Sequence, residues 1–385
     1  MMDFEFATAN RIIFGDGQAN QLLEYLSAFE AKRVLLVVGG KPQRWDSLVQ
    51  PLKNAGISIQ QVSVSSEPEL LDLKESVKVC RKAGCDLVIG IGGGSVMDLA
   101  KAVAALATNP EPLEDYFEVI GSGKALTQEP LPSVLLPTTA GTGAEVTKNA
   151  VINLTEHRVK VSIRHPRMLP DIAIVDPELT YTLPADVTAH CGLDALTQLI
   201  ESFVSNKANV ITDALCREAI PKVAKALPIV FRESLDRQAR ADLSLGSLFS
   251  GLALANSKLG AVHGIAGPLG GMISIPHGAV CAILLPAVFE VNAREVKVKQ
   301  LFSSQSRFDE IAAMLCGAQD STPADAIRWL HERNQEFKIP KLGDYGFQPQ
   351  MMAELIEKSS CSSSMQGNPV KLTDDHLYEI LEKVS

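Results

Sequence analysis

The stretch Asp86-Leu-Val-Ile-Gly-Ile-Gly-Gly-Gly-Ser-Val-Met-Asp98 decides the fold. Its first half is a continuous apolar run, the pattern of a strand buried on both faces of a parallel sheet. Its second half is a triple-glycine bend opening into a helical stretch, Val96–Ala107. Glycine lets the backbone approach a diphosphate closely, and a helix N-terminus offers N–H donors and the positive end of a dipole. Ser95 and Asp98 fit a capping box at the start of that helix. Three consecutive glycines exceed what a tight turn needs, which favours phosphate binding. The usual dinucleotide fingerprint lies on the first βα turn, with an acid about twenty residues later. Here the glycines follow a later strand, and neither a Walker A pattern nor a G-x-S-x-G elbow occurs.

The same grammar extends outward in both directions. Val34–Val38 is an apolar run ending in Gly39-Gly40, Ser58–Val64 is rich in β-branched residues, and Leu71–Ala83 is helical. Ser133–Pro137 leads into Thr138-Thr-Ala-Gly-Thr-Gly143, and Ile172–Val175 ends at Asp176-Pro177. Alternating strands and helices predict an α/β unit with a parallel sheet. Near Leu183 the grammar changes. Pro184-Ala-Asp186 opens a helical pattern through Cys191–Ser205, followed by Ile211–Ala226, Ala239–Ala255, Val262–Met272, Arg307–Leu315 and Pro323–Phe337. The expected domains are therefore residues 1–183, α/β and dinucleotide-binding, and residues 184–385, all-helical. Ser359–Ser364 is expected to be a polar surface loop, and no internal repeat is visible.

A chain of 385 residues, 46% hydrophobic and 21% charged, is neither disordered nor collagen-like. With 36 Lys+Arg against 45 Asp+Glu its net charge is −9, which argues against a nucleic-acid or anionic-membrane partner. Seven cysteines, an odd number without C-x-x-C, point to free thiols in a reducing compartment. No secretory signal and no run of 18 apolar residues is present, so a cytoplasmic protein is expected.

Two Gly-rich loops at the carboxyl ends of parallel strands are where α/β proteins bind nucleotides. Gly39-Gly40-Lys41, with Arg44 nearby, places glycine and cations where an acid would repel a 2′-phosphate. That favours NADP(H) over NAD(H), with NAD the alternative. In the helical half, Asp194 and Gln198 share one helix face at i, i+4. His263 and His277 lie fourteen residues apart in a glycine-rich apolar stretch, a spacing that is not diagnostic of a metal.

Taken in order, Gly92-Gly-Gly-Ser-x-x-Asp98-x-x-Lys101, Pro137-Thr-Thr-Ala-Gly-Thr-Gly-Ala-Glu145, Asp176-Pro177, Gly192-x-Asp194-Ala-Leu-Thr, Val262-His263-Gly, Pro276-His277-Gly and Asn368-Pro369 resemble the iron-dependent (group III) alcohol dehydrogenase family. The resemblance covers nearly the whole chain. It implies a Rossmann-like N-terminal domain and an all-α C-terminal domain, the fold shared with dehydroquinate synthase, with the active site in the cleft between them. By position, Gly93, Gly94, Ser95, Asp98, Thr138, Thr139, Thr142, Lys160 and Leu179 would line the cofactor, joined by Gly39, Gly40 and Lys41. The family holds a divalent metal, usually Fe²⁺, with one Asp and three His. Asp194, His263 and His277 match three of these positions, while Gln198 stands where the second ligand is normally His. Gln198 is a weaker ligand than imidazole, so Zn²⁺ or no metal is the alternative to iron. Gly267 stands where relatives commonly carry another His.

The implied activity is an NAD(P)-dependent, metal-assisted alcohol dehydrogenase or aldehyde reductase, its ion acting as a Lewis acid on the substrate oxygen. Its partners are a small alcohol, aldehyde or oxo-acid and, by analogy, further copies of itself. Two alternatives stand beside it. One is a metal-independent oxo-acid reductase of the maleylacetate reductase type, motivated by Gln198 and the basic residues Arg158, Lys160, Arg164 and Arg167. The other is a nucleotide-binding homologue with impaired catalysis.

Overall fold

The computed structural model describes residues 3–155 and 159–385. It divides into two compact units, one spanning Thr8–Tyr181 and the other Thr182–Ser385 together with the N-terminal residues as far as Ala7. The expected boundary fell at residue 183 and placed that N-terminal segment with the first domain. The segment is tied to the second unit because Asn256 brackets Ala7, accepting from its N–H at 2.7 Å and donating to its carbonyl at 2.9 Å.

The first unit is built on six parallel strands: β1 (Arg11–Phe14), β2 (Arg33–Gly39), β3 (Ser58–Val64), β4 (Leu87–Gly92), β5 (Ser133–Pro137) and β8 (Ile172–Val175). Their order is β1-β8-β5-β4-β2-β3. The chain thus runs outward from β2 to β3, then returns to the other side of β2 at β4. That reversal opens a crevice at the carboxyl ends of β2 and β4, where Gly39 and Gly92 lie. The inner strands β2, β4, β5 and β8 are apolar on both faces because both are covered, while the edge strands β1 and β3 are not fully buried at any position. Val34, Leu36 and Val38 pack with residues of α1 (Leu22–Leu26) and α2 (Asp46–Asn54), while Leu35 and Val37 pack with those of α3 (Leu70–Ala83) and α4 (Gly94–Leu106). An antiparallel hairpin of β6 (Asn149–Leu154) and β7 (Val159–Arg164) adds Ala150, Ile152, Val161 and Ile163 to the α4 side.

Edge strand β1 and the hairpin were not anticipated as elements. β1 has only four residues, and the hairpin alternates half-buried with buried positions under a helix, not in the main sheet. The expected Ser95–Asp98 capping box does not form. Helix α4 starts two residues earlier, its N-cap is Gly93, and no side chain caps it.

The second unit contains α5 (Ala185–Val204), α6 (Val210–Arg232), α7 (Arg237–Ser257), α8 (Ala261–Met272), α9 (His277–Val298), α10 (Phe302–Cys316), α11 (Pro323–Glu336), α12 (Met352–Ser360) and α13 (Asp374–Val384). Helix α5 is central: it is buried from Gly192 to Val204 and packs against α6, α7 and α9. Helix α9 is a large addition to the sequence reading. Pro286 in its interior and a run buried on all sides from Ala279 to Phe289 erase the amphipathic period. The expected loop Ser359–Ser364 begins inside α12, which closes at Ser360 with Ser359 buried. No helix among the described residues is long and apolar enough to cross a membrane. None of the seven cysteines forms a disulfide, and four of them are buried.

Candidate functional site

In the first unit the three segments singled out from the sequence converge on the crevice. A side chain at Gly39 would touch Val96 Cγ2 at 3.2 Å and the Gly92 backbone at 3.6 Å, so the end of β2 lies against the bend. Gly40 has φ +70° with open space around it, a left-handed turn that leads to exposed Lys41. The second loop abuts the first: Thr138 N–H donates to the Gly92 carbonyl at 2.8 Å. Thr139 and Thr142 lie so close to Gly93 and Gly94 that a methyl at either would meet them, at 3.3 Å and 2.9 Å respectively. Absent side chains thus let two loops share one surface at the N-terminus of α4, which no side chain caps and whose N–H groups and dipole suit an anion.

Not every expected cofactor residue behaves alike. Asp98 turns into the protein and pairs with buried Lys101 at 3.3 Å. Lys101 also donates to Ala144 O at 2.8 Å, to Thr147 Oγ1 at 2.9 Å and to Asn149 O, tying the segment after the second loop to α4. Glu145, buried beside them, faces a cation already engaged by Asp98, and burial pushes its carboxyl up to about 7. Half-buried Leu179 accepts from Arg44 through its carbonyl at 3.3 Å. Asp176 caps the turn Pro177–Thr180 that contains Leu179 and also accepts from the N–H groups of Gly17 and Ala19, which locks the end of β8 to the chain after β1.

Lys160 pairs with Glu67 at 2.6 Å, Arg164 with Glu118 at 3.3 Å and Arg167 with Glu129 at 3.2 Å. Arg158 lies outside the described residues. The described part of this basic stretch is therefore already matched by glutamates, which removes the charge argument for an oxo-acid site.

In the second unit, α5 carries Asp194, Gln198 and Glu201 at i, i+4 and i+7 on one buried face. His263 sits in the first turn of α8, and α9 begins with His277 and carries Cys281 one turn later. A side chain at Gly278 would overlap the His190 carbonyl, so glycine there allows the first turn of α9 to lie against α5. The result is a cluster in which Asp194, His263, His277 and Cys281 each bring a donor atom within 4.8 Å of the others. Asp194 Oδ1 lies 3.3 Å from His263 Nε2 and 3.7 Å from His277 Nε2. Two ligands at about 2.0–2.2 Å from a tetrahedral ion stand about 3.3–3.6 Å apart, so this spacing fits a divalent cation.

The surroundings orient these donors. Glu201 accepts from His263 Nδ1 at 2.6 Å, which orients the ring with Nε2 toward the cluster, where a bound metal would take the place of its proton. Glu201 also accepts from Val262 N–H at 2.6 Å, and Asn368 Oδ1 accepts from Ala261 N–H at 3.1 Å; both pin the start of α8. Gln198 donates from its amide nitrogen to Asp194 Oδ2 at 3.2 Å, and its oxygen accepts from Ser250 at 2.8 Å. Burial favours a protonated Asp194, yet His277 and His263 overcome it and hold the carboxyl below its ordinary value. Burial also opposes charge on His263, but Cys281, Asp194 and Glu201 raise the ring well above its ordinary value. Burial pushes the Cys281 thiol up to about 12. Gly267, one turn beyond His263, faces open space.

Cys281 and Glu201 escaped the sequence reading. Cys281 stands four residues after His277, a spacing legible only once residues 277–298 are known to be helical. Glu201 stands seven after Asp194 on a helix that was anticipated, so its shared face was available as a signal.

Residues 9–177 match the family described as iron-containing alcohol dehydrogenase, and residues 188–385 match its C-terminal domain. Alcohol dehydrogenase 4 of Saccharomyces cerevisiae (strain ATCC 204508 / S288c) is 32% identical over 377 residues, covering 96% of this chain and 95% of that protein. The 1,3-propanediol dehydrogenase of Klebsiella pneumoniae is 30% identical over 392 residues, covering 99% and 98%. A solved 1,3-propanediol oxidoreductase shares the fold with a TM-score of 0.91 at 30% identity, covering 100% of both chains. Sulfoacetaldehyde reductase from Bifidobacterium kashiwanohense, solved in complex with NAD+, gives 0.87 at 30% identity, covering 100% of this chain and 99% of that one. The chain belongs to the iron-containing alcohol dehydrogenase family, and it is an oxidoreductase of the alcohol dehydrogenase type.

Proposed function

We propose that this chain transfers hydride between NADP(H) and a small alcohol or aldehyde, assisted by a divalent metal held by Asp194, His263 and His277. The observation that carries this reading is the convergence of those three side chains, drawn from three different helices, on one point. Relatives named for alcohols and for 1,3-propanediol support a small hydroxylated substrate. When bound, the metal supplies Lewis-acid polarisation of the substrate oxygen and the nicotinamide supplies or takes the hydride.

The chain's own contribution is binding and orientation. The bend Gly92–Ser95, with Thr138, Thr139 and Thr142 beside it, holds the diphosphate through backbone N–H groups and hydroxyls. Gly39 and Gly40 leave room for a 2′-phosphate, and Lys41 and Arg44 complement its charge; an acid in this place would repel it. Lys160 and Leu179 complete the cofactor surface, and Asp98 holds Lys101 beneath it. In the second unit Glu201 fixes the tautomer of His263. Gly267 supplies no side chain to carry a proton, so the proton leaves through water.

The test is a fluorescence titration with NADPH and NADH, followed by an alcohol and aldehyde panel on metal-stripped and metal-restored protein. NADPH binds more tightly, and turnover vanishes on chelation and returns with added Fe²⁺ or Zn²⁺. Full activity after exhaustive chelation, or cofactor binding with no turnover under any metal, overturns the reading.

A further inference from the structure

Beside Asp194, His263 and His277 stands a fourth donor that no sequence motif singled out. Cys281 is buried, one helical turn beyond His277, and its Sγ lies 3.7 Å from the Nε2 of both His263 and His277. Around a tetrahedral ion with metal–N of about 2.05 Å and metal–S of about 2.3 Å, the N···S edge is about 3.6 Å. Both sulfur edges therefore match that geometry, as does the 3.3 Å edge between Asp194 and His263. Gln198 is arranged otherwise. Its oxygen is taken by Ser250 at 2.8 Å, and the group it turns to Asp194 is the amide nitrogen, which has no lone pair to give a metal.

We propose that Cys281 is the fourth protein ligand of the metal site, which the substrate oxygen would join as a fifth, that Gln198 is a positioning residue for Asp194, and that the thiolate makes the site one for zinc rather than iron. The inference rests on the reading that this cluster holds a divalent metal. Binding breaks the Cys281 S–H bond, forms the metal–sulfur bond and releases the proton to solvent, with no change of oxidation state. A soft sulfur beside two imidazoles and one carboxylate suits zinc better than an all-nitrogen-and-oxygen set does.

The experiment loads the metal-stripped full chain with cobalt(II) and records its absorption spectrum. The proposal expects one cobalt per chain and a near-ultraviolet thiolate-to-cobalt charge-transfer band. The band persists in Gln198→Ala and is absent in Cys281→Ser, which still shows the visible d–d bands of bound cobalt. In competition between zinc and iron(II), Cys281→Ser loses about tenfold or more of the zinc preference. A wild-type cobalt protein with d–d bands but no charge-transfer band overturns the proposal while leaving the three-ligand metal reading intact; this outcome needs no variant. A charge-transfer band that survives Cys281→Ser assigns it to another cysteine and also overturns the proposal. Failure to take up cobalt overturns the metal reading itself, and this inference with it.

Discussion

Glu145 lies directly after the Thr/Gly loop, buried with one cation and one other acid. Lys101 is in ion-pair contact with Asp98 at 3.3 Å, so the buried group as a whole favours one ionised carboxylate, not two. Glu145 keeps its proton until about pH 7, against an ordinary value of 4.5. Between those values the folded chain binds more protons than the unfolded chain, so stability falls as pH rises through that window and levels off above it. A difference of 2.5 units corresponds to about 3 kcal/mol in total, of which about 2 kcal/mol is lost between pH 5.5 and pH 8. Glu145→Gln keeps the shape and removes the titration. The assay is urea unfolding of the wild type and the variant at a series of pH values, comparing midpoints at unchanged slope. The variant gains on the wild type as pH rises from 5.5 to 8, by about 2 kcal/mol, while other titrating groups cancel in the comparison. Two parallel profiles would refute the burial argument. Because Lys101 ties the 144–149 segment to α4, the wild type is also expected to bind dinucleotide less tightly above pH 7.5 than the variant does.

The other expectations concern the glycine loops of the first unit and the side-chain cluster of the second. Gly39→Asp places a carboxylate where a 2′-phosphate is expected; at about 5 Å their repulsion is about 1–3 kcal/mol, so the NADPH-over-NADH preference in Kd falls by roughly 5- to 150-fold. An unchanged ratio removes the electrostatic assignment of the β2 end. Gly94→Ala brings a methyl to 2.9 Å from Thr142 Cγ2 and forces the two loops apart. NADPH affinity drops by about tenfold or more, while the urea midpoint moves little because alanine favours the helix by about 1 kcal/mol over glycine. Glu201→Ala leaves the Val262 N–H and His263 Nδ1 without their acceptor and lowers metal affinity about 10- to 100-fold, read as metal retained on dialysis. Retention equal to wild type rejects the orienting role.

The legible parts of this molecule are those with simple periodicity. Strands β2, β4 and β5 are buried on both faces, so their apolar runs stand out, and the glycine and threonine loops that follow them mark their carboxyl ends. The pairing that brings Gly39 against Gly92 could not be read, because strand order is a non-local property. Helix α9 was hidden by Pro276, Pro286 and a run buried all round, and with it went the i, i+4 relation of His277 and Cys281. The Ser95–Asp98 cap illustrates a different failure. The residue pattern was right for a cap, but with Gly93 at the N-cap Asp98 satisfies Lys101 instead, and no side chain caps the N-terminus. Gln198 was judged by its position alone; the hydroxyl of Ser250, 52 residues away, decides which end of its amide faces Asp194.

Anomalous diffraction from crystals of the metal-restored chain grown with NADP⁺ bears on all of this at once. The expected map has a metal peak within about 2.0–2.4 Å of donor atoms from Asp194, His263 and His277, with the cofactor diphosphate on the Gly92–Ser95 bend. A metal peak elsewhere on the chain, or a diphosphate away from that bend, contradicts the assignment of the site.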